Sequence, residues 1–169
     1  MRTRRESILA ERMKRKLNVK DFEQVSRELN ETLEGLRPKD LPRFFEQRGG
    51  QLLTEPRPFA AYMRGKLEEK GLLRQNVFLA ADISEGYGYK LLEEEKRTRR
   101  RDVLLRLLLA AHMTPAEARE ALILYGMAPL HGRFPRDAVL LTAFGSPPRD
   151  VRETDALLRR WDLPPLWEK

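Results

Sequence analysis

Apolar residues recur at three- and four-residue spacing along most of the chain, the periodicity of amphipathic helices. In residues 1–20, Ile8, Leu9, Met13 and Leu17, with Arg12 among them, leave a narrow apolar stripe on a basic helix. A second helix is predicted over Asp21–Leu33, with Phe22, Val25, Leu29, Leu33 and then Leu36 on one face. Asp21 takes its N-cap position and Gly35 is its stop. A short helix over Leu41–Arg48 is stopped by Gly49-Gly50. Pro56 and Pro58 then remove backbone donors and restrict their neighbours, which places a domain boundary in Thr54–Pro58.

From Phe59 the pattern tightens into short, well-punctuated helices. Phe59–Lys70 carries Phe59, Met63 and Leu67 at four-residue spacing and ends at Gly71. Helices over Arg74–Ala81 and Ser84–Glu94 are separated only by Asp82-Ile83. Asp102–Met113 is apolar nearly all round, the mark of a central buried helix, with His112 at its end as a core or capping residue. Thr114 and Glu117 form a capping box with Pro115 at the first helical position, and Gly126 ends the helix they start. Sustained period-two alternation is missing, so an all-α protein is expected.

The C-terminal third repeats itself. Residues 114–130 align with residues 150–166: Glu117 meets Glu153, Leu122 meets Leu158, Tyr125 meets Trp161, and Pro129-Leu130 meets Pro165-Leu166. Upstream, Arg101-Asp102 meets Arg136-Asp137, each pair opening an apolar helix. A helical hairpin of this kind cannot bury its own apolar face, so two copies should stack, with Tyr125 and Trp161 as equivalent buried anchors.

Charge adds a direction. The 169 residues hold 33 Lys and Arg against 26 Asp and Glu, a net charge of +7. The excess is local: residues 1–20 hold eight basic side chains and two acidic ones, and Lys96–Arg101 holds five basic side chains in six. Two positive clusters on a mixed-charge body favour a polyanion partner, nucleic acid ahead of an anionic membrane. No cysteine is present, which excludes disulfides and thiolate chemistry. The longest apolar stretches fall far short of the roughly 20 residues of a membrane span, and no apolar signal core follows the basic start. A cytoplasmic protein with no membrane partner is expected.

Nothing points to an enzyme or a cofactor. His112 and His131 are not at metal-ligand spacing with any carboxylate pair. The run GYGY at 86–89 is not a phosphate loop, because it lacks the lysine-containing motif and no strand feeds it.

Residues 72–100 have the grammar of a helix-turn-helix. Val77, Ala81, Ile83 and Leu91 supply the inward positions. Ser84 caps the second helix, whose outward face shows Glu85, Gly86, Tyr89 and Lys90, and the basic run follows where it can meet a flanking backbone. The stretch from about 59 to 166 resembles the XRE-type, lambda-repressor-like family, in a bacterial branch with a C-terminal helical extension. The resemblance rests on FAAYMRGKLEEKGL, ISEGYGYKLL, EKRTRRRDVLLRLLLAAHMTPAEAREALILYGMAPL and FPRDAVLLTAF. It implies a five-helix DNA-binding domain (59–130); with the proline boundary and the internal repeat, the chain is expected to divide into a basic helical N-terminal segment (1–55), that domain, and a C-terminal hairpin (131–169) repeating the 101–130 unit. It also implies a cofactor-free transcriptional regulator, dimeric on DNA. The DNA-facing set it implies is Ser84, Glu85, Gly86, Tyr87, Tyr89 and Lys90, with Lys96, Arg97, Thr98, Arg99 and Arg100 near phosphates.

The chain departs from that family in three places. Phe78 stands where a small residue is favoured, and Asp82 where the turn favours Gly. Glu93-Glu94 stands where Ser-Gly is favoured, ending the reading helix in a carboxylate run that a phosphate backbone would repel. These departures sustain a second expectation: a non-enzymatic adaptor using the same scaffold to bind a protein partner.

Overall fold

The computed structural model describes residue 19, residues 21–145 and residues 147–168; the basic helix expected in residues 1–20 lies almost wholly outside them. Among the described residues the protein is all-helical. The α-helices are α1 (Phe22–Glu34), α2 (Leu41–Arg48), α3 (Pro58–Glu69), α4 (Arg74–Ala80) and α5 (Glu85–Leu92). They continue with α6 (Arg101–Ala110), α7 (Pro115–Tyr125), α8 (Pro135–Ala143) and α9 (Val151–Arg160). Short 3-10 turns at Pro38–Asp40 and Gly49–Gln51 flank α2.

Helix ends follow one device. Gly71, Asp82, Glu94, His112, Gly126 and Asp162 all have φ between 53° and 82°, each just past a helix end. The next residue then donates its N–H back across the last turn, as from Ile83 to the Phe78 carbonyl and from Met113 to the Leu108 carbonyl. At five of the six that next residue is apolar (Leu72, Ile83, Met113, Met127, Leu163) and folds under the helix. The left-handed residues close α5 at Leu92 and α6 at Ala110, two and three residues short of the ends expected from sequence. His112 is exposed, so it serves as the turn residue and not in the core.

Starts are less uniform. Thr114 with Glu117 and Asp150 with Glu153 form complete capping boxes. Asp21 and Ser84 occupy N-cap positions without a side-chain cap bond, and Asp21 is itself left-handed. Asp21 therefore turns the chain into α1 without capping it.

The core centres on α6, where all eight residues from Val103 to Ala110 are buried. Helix α3 packs on α7, α4 on α6 and α5, and α9 on α8 and α6. The N-terminal side joins the same apolar cluster: Val19 lies over Gly65, where an added Cβ would come within 2.6 Å, and the Phe22 ring sits 4.9 Å from Tyr62. Beneath α1, the buried Lys66 ammonium meets Glu23 at 3.3 Å and Glu117 at 3.4 Å, and Lys70 meets Glu117 at 2.8 Å. Burial alone would lower the Lys66 pKa, but Glu117, Glu23 and Glu69 outweigh it and raise it.

The sequence repeat is joined by a reciprocal clasp. Arg101 binds both oxygens of Asp137, at 2.8 and 2.9 Å, and Arg136 binds both of Asp102, at 2.8 and 3.0 Å. Each arginine also ties down its own unit's closing loop: Arg101 donates to the Ala128 and Pro129 carbonyls, Arg136 to those of Pro164 and Pro165. The two units face one another about a pseudo-two-fold relation, with bidentate geometry at both contacts. Their aromatic anchors differ. Tyr125 is 1% exposed but Trp161 is 64% exposed, against expectation, because among the described residues no counterpart of Phe59 or Arg97 covers it.

Candidate nucleic-acid interface

Helices α4 and α5 are set at their turn by three contacts. Asp82 adopts the left-handed conformation the turn needs, so glycine is not required there. Phe78 is fully buried, and a Cβ on Gly88 would come 2.5 Å from its ring. The bulk that departs from the family is therefore matched by a missing side chain on the facing helix. Behind the turn, Arg106 is 3% exposed and its Nη1 donates to the carbonyls of Ala81 (2.9 Å) and Asp82 (3.2 Å). The Trp167 ring stacks on that guanidinium at 4.2 Å, and burial lowers its pKa.

The sequence-derived set divides on this frame. Ser84, Glu85, Gly86 and Lys90 are exposed along the outer side of α5, with Glu85 accepting from Gln75 at 3.3 Å and open space over Gly86. Tyr87 and Tyr89 are half-buried. Tyr89 packs edge-on against Phe78 at 5.0 Å, so part of its ring belongs to the core and not to an outward face. Lys96 lies 5.6 Å over the Tyr87 ring.

Arg97 and Thr98 are tied to Tyr125, although the Arg97 side chain stays 54% exposed. The Arg97 guanidinium stacks on Tyr125 at 4.2 Å, donates to the Tyr125 carbonyl and pairs with Glu94 at 2.9 Å. The Thr98 N–H donates to the Tyr125 hydroxyl at 2.7 Å. Arg101 belongs to the clasp. That leaves Arg99 and Arg100 exposed, with neither side chain in a hydrogen bond or ion pair among the described residues.

The carboxylate run is neutralised from within. Glu93 meets Arg64 at 3.2 Å and Arg74 at 3.0 Å, and Arg57 donates to its carbonyl. Glu94 meets Arg97 and accepts the Ala60 N–H at the start of α3. Glu95 alone of the three is fully exposed and without such a partner. Around α5 and its following loop the uncompensated charges are Lys90, Lys96, Arg99 and Arg100 against Glu85 and Glu95, a positive surface. Sequence reading missed Arg64 and Arg74 as the partners of the Glu93 carboxylate and Arg106 as the turn's anchor. The visible signal for Arg106 was a lone charge inside an apolar run.

Among the described residues no group of His, Asp or Glu is placed to hold a metal ion, and no helix is long and apolar enough to cross a membrane. Comparison with protein-family models, curated proteins and solved structures finds no match to this chain.

Proposed function

We propose that this protein is a non-enzymatic, sequence-specific DNA-binding regulator. In this reading α5 enters the major groove, Lys90 contacts base edges, and Lys96, Arg99 and Arg100 contact phosphates. The observation that carries it is the division of charge along residues 84–101. Glu93 and Glu94 are paired with arginines and, among the described residues, only Glu85 and Glu95 of this stretch stay exposed without a cation, while four basic side chains remain at the surface beside an exposed helix start. Internal neutralisation answers the objection that the Glu run would repel a phosphate backbone. The resemblance to lambda-repressor-like regulators is consistent with this reading and implies a dimer on DNA.

The adaptor reading draws on a different observation. Leu73, just before α4, and Leu79, in its last turn, are 65% and 82% exposed, apolar surface that a protein partner would cover.

The test is a gel shift against fragmented genomic DNA at two salt concentrations. Replacing Arg99 and Arg100 by Ala should weaken binding to all sequences and flatten the salt slope by about one unit per lost contact. Arg97→Ala should instead lower the midpoint of unfolding, since that side chain is used internally. An unchanged salt slope in the double variant would remove the loop from the interface.

A further inference from the structure

The first repeat unit covers its aromatic residue from within, and the second leaves the equivalent one open. In the first, the Arg97 guanidinium lies 4.2 Å over the Tyr125 ring, Phe59 meets it edge-on at 4.9 Å, and Thr98 bonds its hydroxyl. Aligning the two Arg-Asp pairs puts Gly132 where Arg97 stands, and the 114–130 alignment puts Trp161 where Tyr125 stands. Gly132 has no positive φ, and a side chain there would meet only Leu141 Cδ1, at 3.9 Å. Nothing in the fold requires glycine at that position. The position equivalent to Arg97 therefore carries no side chain that could cover Trp161, which is 64% exposed.

The neighbourhood decides what would fill it. Helices α8 and α9 form a hairpin whose open end is closed by Arg136 on the Pro164 and Pro165 carbonyls, which brings the start of α8 and the end of α9 together. Phe134, 63% exposed, is at that start. The Arg101–Asp137 pair brings the 96–100 loop to the same end. Arg99, Arg100, Arg133, Arg159 and Arg160 are all exposed there, none with a side-chain hydrogen bond or ion pair among the described residues. Asp102 and Asp137 are held by arginines, which leaves Asp162 next to Trp161 and Glu95 before the 96–100 loop as exposed carboxylates against these five arginines. A planar cation, the occupant inside the first unit, would be repelled by this surface. A planar group carried on a polyanion would be attracted.

We propose that Trp161 and Phe134, with the surrounding arginines, form a second nucleic-acid site that takes the unstacked bases of a single strand. Bases stack on the two rings and phosphates meet the arginines, the combination by which single strands are bound without sequence preference. The two rings lie outside α5 and do not depend on its duplex-reading role, although Arg99 and Arg100 are common to this site and to the phosphate contacts proposed above.

The full-length protein carrying Trp167→Phe has Trp161 as its one tryptophan. A mixed-sequence single strand of about 20 nucleotides should quench its fluorescence more strongly than the matching duplex, and salt should weaken the effect. In the native chain, Trp161→Ala should weaken binding of a labelled single strand by about 10- to 100-fold, measured by anisotropy. Trp161→Phe should restore most of it, and Lys90→Ala should leave it unchanged. Because Trp161 is exposed, Trp161→Ala should keep the wild-type thermal midpoint. Equal single-strand affinity of wild type and Trp161→Ala would overturn the proposal. So would quenching by phosphatidylserine vesicles but not by the oligonucleotide, which would assign the patch to an anionic membrane.

Discussion

A methyl group added at Gly88 would lie 2.5 Å from Phe78 Cδ1, inside a packed interior that cannot give way cheaply. Gly88→Ala should therefore destabilise the protein by about 1–3 kcal/mol in chemical denaturation. Combining it with Phe78→Leu should recover part of that loss. An additive double variant would mean that the two residues do not share the space. Glycine here answers to a neighbour and not to φ, which is why the sequence showed Phe78 as a departure without showing its compensation. Asp82 is the converse case: its place in the turn was legible, because Asp reaches the left-handed region and its spacing from the next helix is short. The docking of Arg97 on Tyr125 was not legible, since five basic side chains in six residues read as one solvated patch until Tyr125 and Glu94 are seen beside one of them.

Elements were more legible than their pairings. Apolar periodicity and capping boxes located the helices from α1 to α9, and misplaced some ends by two or three residues where a non-glycine residue takes the left-handed turn. The Arg-Asp repeat was visible, but its crossed pairing was not, because local sequence does not say which carboxylate an arginine will meet. That pairing has energetic consequences. Asp137 is 6% exposed; burial would raise its pKa, but the hydrogen bonds from Arg101 and the His131 N–H, with the charges of Arg101 and Arg136, hold it low. Asp137→Asn should cost about 2–4 kcal/mol, because it leaves the partly buried Arg101 without its counter-charge. Asp102→Asn should cost less, since that carboxylate is more exposed. Equal costs, or a loss under about 1 kcal/mol, would count against the clasp as a joint.

The same reasoning sets the pH range of the clasp and of the Lys66 cluster. Asp137 and Glu117 both have lowered folded pKa values, so their contribution is complete above their unfolded values near 4 and is lost as pH falls through the folded ones. Glu117 is lowered, despite burial, by Lys70, the Thr114 N–H and Lys66. Lys66 is raised, so its contribution is complete below its unfolded value near 10.5 and is lost as pH climbs through the folded one. Denaturation midpoints measured from acid to alkaline pH should show a plateau between these limits. A midpoint still rising steeply between pH 6 and 9 would contradict that assignment.

At the scale of the molecule, the C-terminal peptide reaches back to the α4–α5 turn. The Leu166 N–H is held by Asp155 at 2.6 Å, and Trp167 stacks on the arginine that anchors the carbonyls of the α4–α5 turn. Trp167→Ala should leave the helices formed but raise hydrogen exchange of the amides at 81–84 by about ten-fold or more, through easier local opening. Unchanged exchange there would disconnect the tail from the turn. No periodicity announced this link, which joins residues 61 positions apart through one buried charge.

The claim that organises this account is sequence-specific reading by α5, and Lys90 tests it most directly because it is exposed and unpaired on that helix. The measurement is the affinity of wild type and Lys90→Ala for the duplex enriched from genomic fragments, set beside a random duplex at the same salt. The account predicts that wild type prefers the enriched duplex and that Lys90→Ala costs about 1–3 kcal/mol on it while leaving the random duplex nearly unchanged. Equal affinity of wild type for every duplex, indifferent to Lys90→Ala, would contradict it.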